Sequence, residues 1–91
     1  MYTLFLEKDA VKDTALLKKS GGAILVRKLS KLLNEIKEHP RSGSGKPERL
    51  KYQSEEIWSR RLGKKHRIVY KIREDDKKVI LTAILGHYED K

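Results

Sequence analysis

An α+β fold is predicted for this chain: a strand, two helices, then three to four antiparallel strands, with the helices packed on one face of the sheet. Three observations predict it. A short β-forming segment stands near the start, a helix-period pattern interrupted once by glycines follows, and the second half alternates with period two between tight turns. At 91 residues the chain is expected to be one domain, 1–91, because two cores would each be too small to fold alone.

Tyr2 to Leu6 is rich in β-formers and reads as the first strand. From Lys8 or Asp9 the period changes, with Val11, Ala15 and Leu16 or Leu17 at helical spacing, and Ser20-Gly21-Gly22 supplies residues that tolerate the left-handed backbone of a helix end. A second helix is predicted over 23–38, since Leu25, Leu29, Leu32, Leu33 and Ile36 form one apolar stripe, and His39-Pro40 stops it. The segment Arg41 to Pro47 is a loop by composition. Arg49 to Tyr52 is a candidate short strand. Ile57 to Leu62 alternates, with Trp58, Arg60 and Leu62 on one parity; Gly63-Lys64 makes a turn; His66 to Arg73 alternates again, with Ile68, Tyr70 and Ile72 opposed to Arg67, Val69 and Lys71. Beyond a turn at Glu74-Asp75-Asp76, Val79 to Leu85 is apolar on both parities, as expected for a central strand covered on both sides.

Composition narrows the function. There is no cysteine, so neither a disulfide framework nor a cysteine zinc site is available. The longest near-continuous apolar run is far shorter than the roughly 20 residues that span a bilayer, and no apolar leader opens the chain, so a cytoplasmic location with no membrane partner is expected. The net charge of +9 is unevenly spread. Residues 1–40 hold eight basic and five acidic side chains, residues 41–73 eleven and three, and residues 74–91 three and five. The middle third therefore attracts phosphate backbones or an acidic protein segment. The three histidines are scattered, so no metal site and no cofactor is expected, and neither a strained serine-nucleophile turn nor a phosphate-cradling glycine loop is present.

What remains is a set of acid, base and cation residues suited to cutting RNA through its own 2′-hydroxyl. That reaction needs a base for the hydroxyl proton, an acid for the leaving 5′-oxygen, and fixed cations where charge builds on phosphorus. Glu48, isolated among Lys46, Arg49 and Lys51, suits the base. His87 suits the acid, with Tyr88 beside it as a second donor or a stacking ring. Arg67, flanked by apolar strand residues, can present a planar fork to a phosphate. Each has a plainer reading: a solvated loop glutamate, a histidine at a strand end, a surface strand arginine.

Four motifs in register bear on that choice: Gly45-Lys46-Pro47-Glu48 with Leu50-Lys51, Trp58-Ser59-Arg60-Arg61, His66-Arg67-Ile68-Val69-Tyr70, and His87-Tyr88. In order and spacing they resemble the YoeB/Txe toxins of the RelE superfamily. The resemblance is close in the C-terminal half and extends to the N-terminal half only in its strand and two-helix plan. It implies a ribosome-dependent mRNA interferase held inactive by a cognate antitoxin, with Glu48 as base, Arg67 on the transition-state phosphate, and His87 and Tyr88 as the terminal pair. It implies that Lys46, Lys51, Arg61 and His66 contact RNA, that ribosome, mRNA and antitoxin are the partners, and that a homodimer is allowed. The chain runs on through Glu89-Asp90-Lys91, past the point where members of that family usually end, and this extension is read as solvated. The competing reading is a non-catalytic binding module on the same fold, either ParE-like or RNA-binding. A third is an RNA-associated protein that kept the fold and lost toxicity. A pure binder has no need of a base and an acid on either side of an arginine.

Overall fold

The computed structural model describes residues 1–51 and 54–86. Strand β1 (Thr3–Leu6) leads into a helical stretch, Lys8–Glu38, which Gly22 interrupts with φ 74° and ψ −172°. The two arms, 8–21 and 23–38, are called α1 and α2. The break falls at the glycine pair predicted to end the first helix, because these angles are strained for any residue with a Cβ. At the far end the His39 N–H bonds to the Glu35 carbonyl, and Pro40 follows and cannot continue the helix.

Four more strands follow: β2 (Glu48–Arg49), β3 (Glu56–Leu62), β4 (His66–Arg73) and β5 (Lys78–Gly86). Together with β1 they make one five-stranded sheet in the order β1-β5-β4-β3-β2. β1 runs parallel to β5, and the other neighbours are antiparallel. The meander β3-β4-β5 turns tightly at 63–65 and 74–77, with Gly63 and Lys77 at positive φ.

Both helix arms lie on one face of the sheet. Ala10, Leu17, Leu29 and Ile36 from the helices meet Leu62, Ile68, Tyr70, Ile72, Val79, Leu81 and Ile84 from the strands in a single buried cluster. The helix periodicity and the alternation of β4 thus selected the residues that face each other.

Two expectations change. The short strand after the loop is Glu48–Arg49 and not 49–52; the Leu50 N–H still donates to the Ile57 carbonyl at 2.8 Å, Lys51 stands in a turn, and Tyr52 lies outside the described residues. Strand β5 is central in hydrogen bonding, yet only its helix side is covered. On the other side Ile80 and Ala83 are half-buried and Leu85 is exposed. A one-residue bulge in β5 between its pairings with Val69 and Tyr70 shifts its alternation. The Thr82 hydroxyl there donates to the Val69 carbonyl at 3.1 Å, and the Ile84 N–H donates to Asp13 of α1 at 2.9 Å.

Candidate active site

The face of the sheet turned away from the helices carries Glu48 of β2, Arg61 of β3, and Arg67 and Lys71 of β4. Glu48 lies opposite Ser59, and Arg61 lies opposite Arg67. Ser59 is fully buried, and its hydroxyl accepts from Arg67 Nη1 at 3.0 Å. The same Nη1 stands 3.7 Å from Glu48 Oε1, with Arg67 and Glu48 side chains 36% and 69% exposed. A carboxylate and a guanidinium are therefore adjacent and open to solvent, and Ser59 fixes the guanidinium from below. An exposed pair of this kind is worth little in itself, so an incoming anion can separate it at small cost.

Arg61 and Arg67 are direct cross-strand partners. Like charges in that position repel, and an anion placed between them relieves the repulsion. Lys71, further along the same face of β4, is half-buried and paired with Glu55 at 3.3 Å.

Glu48 reaches this face from the loop 39–47, which is gripped from inside and outside. Inside is Arg60, fully buried on the helix side of β3. Its Nε donates to the Tyr70 hydroxyl at 2.9 Å, Nη1 to Glu35 Oε1 at 3.1 Å and the Ser44 carbonyl at 3.2 Å, and Nη2 to the carbonyls of His39 at 2.6 Å and Ser42 at 2.7 Å. The Tyr70 hydroxyl in turn donates to the Pro40 carbonyl at 2.7 Å, and burial pushes that phenol's pKa up, so it is held as the donor. Outside is Arg41, which pairs with Glu56 at 2.7 Å and Glu74 at 3.0 Å. Gly45 permits the close approach: a Cβ there would stand 2.8 Å from the Arg61 carbonyl.

Among the expected site residues, the structure thus gathers Glu48, Arg61 and Arg67. Lys46 and Lys51 are exposed on either side of β2, Lys46 at φ 51°. His66 is half-buried and opposite Leu62 and Gly86, which places it on the helix-side parity of β4, away from Arg67. His87 and Tyr88 lie outside the described residues. Ser59, Arg60 and Tyr70 stand in the quoted motifs but were given no role in the site from sequence, and neither was Glu35. For Arg60 the signal was there: it shares parity with Trp58 and Leu62, and a cation on the core parity of a strand needs buried acceptors.

The fold and the face define the class as a small, strongly basic α+β domain with a carboxylate and two arginines on the open side of its sheet. Residues 6–88 match the family described as YoeB-like toxin of bacterial type II toxin-antitoxin system. The chain belongs to that family. It is 36% identical to toxin YoeB of Escherichia coli strain K12 over 64 residues, 70% of this chain and 74% of that one. Its fold is similar to a YoeB/ParE toxin from Agrobacterium tumefaciens, with a TM-score of 0.83, 29% identity, and coverage of 94% of this chain and 99% of the other. It is also similar to a chain of the YoeB-YefM complex from Staphylococcus aureus, with a TM-score of 0.78, 27% identity, and coverage of 97% and 99%.

Proposed function

We propose that this toxin is an endoribonuclease that cuts mRNA in the ribosomal A site, without a metal, by acid–base transfer through the RNA's own 2′-hydroxyl. The observation that carries the reading is the Glu48–Arg67 pair, 3.7 Å apart on the open face and backed by the buried Ser59 hydroxyl. In the proposed step the Glu48 carboxylate takes the 2′-hydroxyl proton and the 2′-oxygen attacks phosphorus. The bond to the 5′-oxygen breaks, and His87 gives that oxygen a proton. The products are a 2′,3′-cyclic phosphate and a free 5′-hydroxyl. Arg67 balances the charge that builds on the non-bridging oxygens, and Arg61, facing it, holds the adjoining phosphate. Tyr88 is assigned beside His87 as a donor or stacking ring. Lys46, Lys51 and His66 are assigned to flanking RNA, His66 from the strand end rather than from the face that bears Arg67.

The partners follow from charge. With eleven basic and three acidic side chains in residues 41–73, the middle of the chain suits the acidic rRNA and mRNA of a ribosome. It equally suits an acidic antitoxin segment that orders itself over the toxin and excludes RNA, and the similar chain from Staphylococcus aureus is in complex with YefM. No helix of the described residues is long and apolar enough to cross a membrane.

Induced expression of the wild type beside Glu48→Gln, Arg67→Ala and His87→Gln tests this, with growth followed and mRNA ends mapped by primer extension. Wild type is expected to arrest growth with cuts inside translated codons. Loss of Arg67 is expected to lower cleavage about 10²- to 10³-fold, and loss of Glu48 or His87 about 10²- to 10⁴-fold. Variants that fold and still cut like the wild type would end the nuclease reading and leave the basic face as a binding surface.

A further inference from the structure

We propose that Arg60 is a positioning residue whose guanidinium clamps the 39–45 loop and so sets where Glu48 stands against Arg67; the proposal rests on the nuclease reading for its effect on cleavage. A guanidinium has five N–H donors, and all five of Arg60's are used: one on the Tyr70 hydroxyl, one on Glu35, and three on the carbonyls of His39, Ser42 and Ser44. Only one of those acceptors is a carboxylate, and Glu35 is itself about one-third exposed. As an ion pair this arrangement is a poor source of stability, because withdrawing the cation from water costs as much as a single partner returns. As a template it is well suited to its place, since the planar fork holds several carbonyls in fixed directions at once.

The loop needs such a template. Between His39 and Pro47 it forms neither helix nor strand, and Gly43, Gly45 and Lys46 all have positive φ. Glu35 supports the same turn from the helix, accepting from the Ser44 N–H at 3.0 Å, and a Cβ on Gly43 would stand 2.7 Å from its carboxyl carbon. The clamp then passes directly to the site. The Gly45 carbonyl accepts from the Arg61 N–H at 2.7 Å, and three residues on Glu48 pairs with Ser59, the residue between Arg60 and the strand position of Trp58. Arg60 therefore fixes both sides of the active-site seam: β3, on which it stands, and the loop that delivers the base.

Arg60→Lys keeps the charge but cannot reach five acceptors, and Tyr70→Phe removes the link to Pro40 while leaving the ring in the core. In both variants the Ser44 and Arg61 amides are expected to exchange hydrogen about tenfold faster, while the Ile72 and Leu81 amides of the central strands keep their protection. Cleavage by Arg60→Lys is expected to lose kcat by about 10- to 100-fold with KM unchanged. That loss should disappear in a Glu48→Gln background, because a group acting through Glu48 has nothing left to position. Unchanged loop exchange in a folded variant would overturn the clamp, as would central-strand protection falling in step with the loop, or a loss that adds fully to that of Glu48→Gln. If wild type cuts no mRNA, the nuclease reading falls while the exchange comparison still decides whether Arg60 holds the loop. If Arg60→Lys does not fold, Tyr70→Phe carries the same comparison.

Discussion

Arg41 meets two carboxylates and a phenol at once. Its Nε and Nη2 bond to Glu56 at 2.7 and 3.0 Å, Nη2 also reaches Glu74 at 3.0 Å, and Nη1 donates to the Tyr2 hydroxyl at 3.3 Å. Tyr2 donates to Glu74 at 2.6 Å, and Lys77 pairs with the same carboxylate. The hydrogen bonds from Lys77, Tyr2 and Arg41 pull the Glu74 pKa from 4.5 down to about 2. The hydrogen bond from Arg41, aided by Trp58, lowers that of Glu56. A carboxylate whose folded pKa is depressed stabilises the fold above its unfolded value, and that stability is lost as the pH falls through the folded value. The cluster is solvent-exposed, so its contribution is screened and modest. Arg41→Ala is expected to lower the Tm at pH 7, with the difference from wild type shrinking between about pH 4.5 and about pH 2. Thermal unfolding at pH 7, 4 and 2 checks this, and a gap that stays constant into acid would remove the cluster from the account. At this scale Glu48 and Arg67 stood out as candidates, because one is an isolated carboxylate among cations and the other an arginine between apolar strand residues. Which groups Arg60 and Tyr70 bond to could not be read locally, since those partners lie 10 to 30 residues away in the chain.

The helical stretch depends on one glycine. Gly22 adopts a backbone that disfavours any side chain, yet no heavy atom lies within 4 Å of where its Cβ would be. The penalty for Gly22→Ala is therefore backbone strain alone, about 1 to 3 kcal/mol, or roughly 5 to 20 °C in Tm for a domain this small. An unchanged melting curve would mean that α1 and α2 can join without the break. The strands show the limit of local reading. Period-two alternation located β3 and β4 to within a residue, because each runs seven or eight residues with one buried face. β2 was misplaced because two residues carry no period and pair only through the register with β3. The bulge in β5 was equally illegible: Val79 to Leu85 is apolar throughout, so sequence could not say that Ile84, rather than Ala83, turns inward to the helices.

For the whole molecule, charge and core pull in different directions. The sheet has one buried face and spends the other on cations, which limits how much apolar surface β5 can hide and leaves Leu85 exposed. Arg61 is exposed and opposite Arg67, so it should account for about one released counterion when single-stranded RNA binds. With cleavage blocked by Glu48→Gln, Arg61→Ala is expected to reduce the slope of log affinity against log salt by about 0.7, whereas Lys18→Ala on α1 should leave it unchanged. Fluorescence titration of an RNA oligomer at several salt concentrations measures both, and equal slopes in the two variants would place RNA elsewhere than the open face. Composition and periodicity by themselves determined the α+β order, the helix stripe that meets the sheet and the basic middle of the chain, and the four motifs then favoured Glu48 and Arg67 over their plainer readings. Those properties are carried by residues within a few positions of one another. Tertiary structure alone decided that β1 lies parallel to β5, that Arg61 faces Arg67, and that a fully buried arginine donates to three carbonyls of the loop leading to Glu48. Each of those depends on strand pairing and on acceptors distant in the chain, and a pattern of neighbours along a sequence cannot specify which distant groups will close a hydrogen bond.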